Sequence, residues 1–127
     1  VHHDLWDYDL PAAPHLVRVR RGGRDVDAVA QLTKMGLVFV FERETGAPLF
    51  DVVERPVPQS DVPGEQSSPT QPFPVAPPQL VTPSRITEDD LWDRRPEHLA
   101  ACRALLASLR NEGLFTPPSA RGSTTSP

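Results

Sequence analysis

From Leu16 to Val53 the apolar residues of the chain recur with the two-residue period of extended backbone; after Thr87 they recur at three- and four-residue steps. Leu16–Arg20, "LVRVR", reads as a short strand with Leu16 on the opposite face from Val17 and Val19. Arg21-Gly22-Gly23-Arg24 supplies a turn, and Val26–Leu32 alternates again, with Val26, Ala28 and Ala30 on one side. Lys34-Met35-Gly36 interrupts the pattern. Leu37–Phe41, "LVFVF", is a continuous apolar run rich in β-branched and aromatic residues, which predicts a strand covered on both faces. Glu42–Gly46 turns the chain, with Gly46 at positive φ, and Leu49–Val53 is the last strand of the group. The expectation is one antiparallel sheet of three or four short strands.

The stretch Glu54–Ser84 breaks this order. Each proline removes a ladder donor and constrains the residue before it, so a sheet is not expected there. On composition alone the segment reads as a disordered linker, with Phe73, Leu80 and Val81 as its only hydrophobic anchors. Helical signals follow. Thr87-Glu88-Asp89-Asp90 resembles an N-terminal cap with acids in the first turn, and Pro96 suits the first position of a second helix. Leu99, Cys102, Leu105, Leu106 and Leu109 form one apolar stripe, which Gly113 ends as a C′ residue.

Composition narrows the classes. The chain has 127 residues, enough for one domain with a modest core, yet it is only 38% hydrophobic and carries 16 prolines. Ten of those prolines fall between Pro56 and Pro96, which concentrates the irregular backbone there. A net charge of −4 and the lack of a long basic stripe argue against nucleic acid. The cluster Arg18, Arg20, Arg21 and Arg24 reads as a charged hairpin tip. Cys102 is alone, so it implies neither an intrachain disulfide nor a cysteine zinc site, and it is expected to pack on the helical stripe; His98 beside it is expected at the surface. No run reaches the roughly 18 apolar residues of a membrane span. Because the chain opens on valine within ordered-looking sequence, its natural N-terminus is expected to lie further upstream.

The opening nonapeptide "VHHDLWDYD" concentrates two histidines and three aspartates beside a tryptophan and a tyrosine. In extended backbone His2 and His3 point to opposite faces and do not chelate one ion together, so no metal site is assigned. In extended backbone Asp7 lies opposite Asp4, between two aromatic residues whose apolar company would suit it to accept a proton. A solvated strand end explains the same residues equally well.

Four stretches in order, "VHHDLWDYDLPAAP", "AVAQLTKMGLVFVFERETGAPL", "RPVPQSDVPGEQSSPTQPFP" and "EGLFTPPS", resemble the membrane-bound quinoprotein dehydrogenases of the glucose/quinate/shikimate branch, which use pyrroloquinoline quinone. The likeness runs from Val1 to about Gly122. It implies a mainly β fold: part of an eight-bladed β-propeller, about one and a half blades, with a long Pro-rich loop and a C-terminal helical insertion. The segments would then be blade strands with the active-site motif (1–54), an extended loop (55–86), the insertion (87–113) and a return segment and tail (114–127). Under this reading the loop equivalent to Arg55–Phe73 is ordered, and "FERETGAPLF" is a blade-docking repeat in which Phe50 stands where the family usually has tryptophan.

The resemblance also implies roles. Asp7 falls where the family's "HDxWD" motif has its catalytic base, Lys34 where a basic residue contacts the quinone oxygens, and His3 and Trp6 belong to the supporting shell. Thr70, Gln71 and Phe73 match a motif to which no role is assigned. Calcium or magnesium ligands, the residues sandwiching the cofactor and the membrane anchor would lie upstream, outside this chain. The implied activity is oxidation of a sugar or cyclic polyol, with ubiquinone as acceptor at the periplasmic face of the inner membrane. The remaining blades would be required, and the chain alone is expected to be inactive. After Gly122 the polar "STTSP" departs from the family's apolar strand. Two rival readings remain: a non-catalytic binding or structural module derived from a propeller, and a proline-rich interaction protein with an incidental sheet.

Overall fold

The computed structural model describes residues 1–81 and 85–124. It is mainly β. Strands β1 (His15–Arg21), β2 (Arg24–Leu32) and β3 (Val38–Glu42) form an antiparallel sheet in the order β1-β2-β3. β4 (Val52–Pro56) and β5 (Thr70–Pro74) form a second, two-stranded sheet. One 3-10 turn, Glu88–Asp90, precedes the helix α1 (Pro96–Ser108).

The β1–β2 connection follows from its two glycines. Gly22 and Gly23 have φ of 57° and 80°, the double positive turn whose twist matches that of the flanking strands. Two of the four arginines beside it meet carboxylates across the ladder, while Arg21 and Arg24 face each other in register. Arg18 faces Asp27 and Arg20 faces Asp25 in register, with ion pairs of 2.8 and 3.1 Å.

The apolar run at β3 is covered on both faces, as expected. Val38 and Val40 join Ala28 in one core cluster, backed by Val19, Ala30, Leu32, Leu49 and Phe50. Leu37 enters a second cluster with Tyr8, Met35, Leu114 and Phe115, against which Phe39 packs. Two-residue alternation thus sends neighbouring side chains of one strand into two different cores.

The expected fourth strand at Leu49–Val53 does not form in this sheet. Pairing beyond β3 shrinks to a bridge between Phe41 and Pro48 and a bond from Leu49 N–H to the Val40 carbonyl. Pro48 has no N–H to continue the ladder, and the chain leaves to begin β4 at Val52.

The Pro-rich stretch corrects the compositional reading. It contains a sheet despite Pro56, Pro72 and Pro74, because their spacing matches the ladder. β4 and β5 pair Val52 with Pro74, Glu54 with Pro72 and Pro56 with Thr70. The flanking backbone bonds, Val57 N–H to Pro69 O at 3.1 Å and Val75 N–H to Asp51 O at 2.9 Å, place the hydrogen-bonded pairs at the intervening positions. All three prolines therefore stand where no inward N–H is needed. The loop between the strands is held by Ser60 N–H to Ser67 Oγ (2.7 Å) and by the Gln59 amide, which donates to the carbonyls of Val57 and Ser68. Of the expected anchors, Phe73 packs on the core, whereas Leu80 and Val81 are largely exposed. The end of the stretch, 82–84, lies outside the described residues.

The helical part is shorter than predicted. At Thr87 the backbone N–H and hydroxyl both donate to Asp90 Oδ2 (2.8 and 2.7 Å), yet the helix they open lasts one 3-10 turn. No residue of that turn is buried, so no apolar face extends it; beyond the cap it is tied to α1 by the Arg103–Glu88 ion pair at 2.9 Å. Pro96 does stand in the first turn of α1. The helix stops at Ser108, well before Gly113, because Arg110 pairs with the chain at Ser123: Arg110 N–H donates to Gly122 O, and Thr124 N–H to Arg110 O. Along the apolar stripe Leu99, Cys102, Leu106 and Leu109 are partly buried, whereas Leu105 is 60% exposed. By contrast, Leu114–Pro117 of "EGLFTPPS" is buried throughout. The polar tail residues 125–127 lie outside the described residues.

Candidate functional site

The opening segment is not a strand. Asp4 accepts from two backbone amides, Trp6 N–H at Oδ1 (2.9 Å) and Tyr8 N–H at Oδ2 (2.8 Å), so the chain from 4 to 8 curls around one carboxylate. His3 and Asp7 take positive φ (42° and 61°), a region that asparagine and aspartate enter more readily than other side chains. The Trp6 and Tyr8 rings stack on each other, centroids 5.6 Å apart, and both meet Phe115 edge-on. Their polar tips are anchored to the return segment: Trp6 Nε1–H donates to Thr116 O at 2.7 Å and Tyr8 O–H to Leu114 O at 2.8 Å. Burial, and secondarily the charge of Asp4, pushes the Tyr8 phenol above its ordinary pKa, which keeps it a donor.

With Trp6 and Tyr8 committed to the core, the Asp7 side chain projects outward and is 90% exposed. The apolar enclosure expected around its carboxylate is absent among the described residues. What stands beside it is Lys34. The ammonium reaches across from the β2–β3 turn to Asp7 O (2.8 Å) and Asp7 Oδ2 (3.1 Å), and also pairs with Asp9. The hydrogen bonds to Asp9 and then to Asp7 raise the Lys34 pKa, so the group is a fixed cation at neutral pH.

The turn carrying Lys34 is tightly held. Thr33 N–H and Oγ1 both donate to Leu37 O (3.1 and 2.9 Å), and Gly36 N–H donates to Thr33 O. Gly36 has φ 69°, and a Cβ there would stand 2.9 Å from Val81 Cβ. The Pro-rich segment closes over the turn, with Leu80 N–H donating to Gly36 O and Gln79 Nε2–H to Met35 O.

The sequence-predicted site residues therefore separate. Asp7 and Lys34 meet. Trp6 supports them through the core, while the His3 ring engages Glu65 at 3.0 Å. His2 likewise engages Glu54 at 2.9 Å, so both histidines fasten the opening segment to β4 and its loop, and each holds its glutamate below the usual pKa. Among the described residues no group of three or more His, Cys, Asp or Glu could hold a metal ion.

Sequence reasoning missed three contributors. Gln71 is 0% exposed and exchanges two hydrogen bonds with the backbone of His2: it accepts from His2 N–H at 2.8 Å and donates to His2 O at 2.7 Å. Its place in a matched motif was the available signal. Asp9 shares Lys34, and its two-residue spacing from Asp7 could have suggested it. Thr116 is buried, with its hydroxyl donating to Gly113 O and accepting from Glu112 N–H; its place in "EGLFTPPS" was the available signal.

The described residues thus set a paired carboxylate and ammonium beside an aromatic platform, carried by antiparallel sheets of a mainly β chain. Comparison with known proteins makes the class specific. The chain belongs to the pyrroloquinoline quinone family of glucose/ethanol/alcohol dehydrogenase β-propeller domains, whose pattern covers residues 1–127. It is 43% identical over 119 residues to a probable quinate dehydrogenase (quinone) of Xanthomonas campestris pv. juglandis, covering 93% of this chain and 15% of that protein. It is 43% identical over 119 residues to the quinate/shikimate dehydrogenase (quinone) of Acinetobacter baylyi, with the same coverage. To the quinoprotein glucose dehydrogenase of Gluconobacter oxydans it is 41% identical over 128 residues, covering 100% of this chain and 16% of that protein. The chain thus spans about a sixth of the length of these relatives. No solved structure gives a significant match.

Proposed function

We propose that the chain supplies part of the active site of a pyrroloquinoline-quinone-dependent dehydrogenase that oxidises a sugar or cyclic polyol. In this reading it forms about one and a half blades of an eight-bladed propeller. The carrying observation is the Lys34–Asp7 contact at 3.1 Å between residues 27 apart in sequence.

The residues present fit such a cofactor. A quinone gains negative charge on its oxygens as it is reduced, and a fixed ammonium answers that need. Lys34 already uses three acceptors (Asp7 O, Asp7 Oδ2 and Asp9), one for each of its N–H bonds, so a quinone oxygen would replace one of them. The cofactor, when bound, supplies the two-electron acceptor. Asp7 accepts the proton of the substrate hydroxyl at a carboxylate oxygen, which the neighbouring ammonium orients. Lys34 orients Asp7 in the ground state and offers its charge where negative charge develops. Trp6 keeps the base facing outward. Calcium or magnesium, ubiquinone as final acceptor and a periplasmic location belong to the same proposal and involve residues outside this chain.

The test is steady-state dye reduction by the full-length protein. Asp7→Asn is expected to lower cofactor-dependent turnover by about 10²–10⁴-fold. Lys34→Ala is expected to lower turnover and weaken cofactor binding together. Unchanged turnover in Asp7→Asn would favour instead a propeller-derived module without catalysis.

A further inference from the structure

We propose that Asp4 is the positioning residue for Asp7, an inference that rests on the reading of Asp7 as the base. Its two carboxylate oxygens are divided between the amides on either side of Asp7: Oδ1 takes Trp6 N–H at 2.9 Å and Oδ2 takes Tyr8 N–H at 2.8 Å. Asp4 is itself exposed and could have been left to water. Instead its oxygens fasten the Leu5–Trp6 and Asp7–Tyr8 peptide groups, which bracket Trp6 and Asp7, and Asp7 holds φ at 61°. The neighbours on both sides are pinned a second time through their side chains, Trp6 to Thr116 O and Tyr8 to Leu114 O. The backbone at Asp7 is therefore constrained from within the turn by Asp4 and from the core by the aromatic pair.

The consequence is directional. The aromatic anchors set where residues 6 and 8 lie; the Asp4 bonds, together with the Lys34 bond to Asp7 O (2.8 Å), set the rotation of the peptides there, and so the direction in which Asp7 leaves the chain. Without the Asp4 bonds the segment loses two of the contacts that hold an L-residue at positive φ, and the carboxylate would swing away from its present place beside Lys34. Asparagine at position 4 offers a single acceptor oxygen and can keep only one of the two amide bonds. The pair Asp4→Asn and Asp4→Ala therefore forms a graded series.

The experiment uses the full-length, cofactor-loaded protein and whichever of glucose, quinate or glycerol it oxidises fastest. Amide exchange over residues 5–9 and steady-state dye reduction are measured for Asp4→Ala, Asp4→Asn and Asp7→Asn. Asp4→Ala should accelerate exchange at the amides of Trp6 and Tyr8 and lower kcat about tenfold or more, with KM changed by less than about threefold. Asp4→Asn should fall between it and the unaltered protein, and it carries the test if Asp4→Ala does not fold. Asp7→Asn should lose turnover with exchange unaltered. Unaltered exchange in the Asp4 variants overturns the proposal, as does accelerated exchange with kcat intact. If Asp7→Asn keeps full turnover, the base assignment fails instead, and exchange at Trp6 and Tyr8 still decides whether Asp4 holds the turn.

Discussion

At the scale of single residues, the site is a set of hydrogen-bond and packing commitments that turn the Asp7 carboxylate outward against Lys34. Tyr8 is a case where a polar tip and an apolar body are both used: its ring lies in the core, and its hydroxyl satisfies the Leu114 carbonyl. Tyr8→Phe would leave that acceptor unpaired, and a loss of about 1–3 kcal/mol in unfolding free energy is expected by chemical denaturation. A second prediction concerns pH. Glu54 and Glu65 are held below the ordinary glutamate pKa of 4.5, chiefly by hydrogen bonds from His2 and His3. A depressed carboxylate contributes stability above its unfolded pKa and loses it as pH falls through the folded one. The Tm gap between the unaltered protein and Glu54→Gln/Glu65→Gln should therefore be present at about pH 6 and close below about pH 4. A gap unchanged across that range would contradict the assignment. Little of this was legible beforehand. Alternation rules place Asp7 opposite its neighbours, but the positive φ at His3 and Asp7 depends on the Asp4 bonds and on a partner segment more than 100 residues away. Only the family likeness linked Asp7 with Lys34.

At the scale of elements, periodicity was a good guide wherever the backbone satisfies itself locally, and a poor one where distant pairing decides. The β1–β2 hairpin and the two-faced burial of β3 follow from glycine placement and from an unbroken apolar run. The sheet of β4 and β5 was hidden because proline content argues against strands in general; whether a proline is tolerated depends on which edge of the ladder it occupies. The helix at Pro96–Ser108 was visible from its stripe, but its end was not, since the pairing of Arg110 near Ser123 removes residues from it. The turn carrying Lys34 yields a prediction at this scale. Gly36→Ala would place a Cβ 2.9 Å from Val81 Cβ at φ 69°, so both strain and overlap oppose it. A destabilisation of roughly 1–3 kcal/mol is expected, with reduced turnover as Lys34 shifts. Full stability and activity in that variant would show that the turn does not position the ammonium.

At the scale of the whole molecule, two cores share β3, and the return segment Leu114–Pro117 closes one of them against the opening residues. The candidate site is thus a meeting of the beginning of the chain, the β2–β3 turn and, behind both, residues from the far end. The proline-rich segment is tied to that core through β5, where Phe73 meets Phe115 edge-on and Gln71 bonds the His2 backbone. Limited proteolysis of the natural protein should leave 57–69 intact under conditions that cleave exposed linkers, and rapid cleavage there would favour the interaction-protein reading. The most direct measurement of the central claim is single-turnover reduction of bound pyrroloquinoline quinone by substrate in the full-length Asp7→Asn variant, followed by the absorbance of the cofactor. Cofactor binding at unaltered stoichiometry with reduction slowed by about 10²–10⁴-fold is the predicted result; reduction at the unaltered rate would show that Asp7 is not the base.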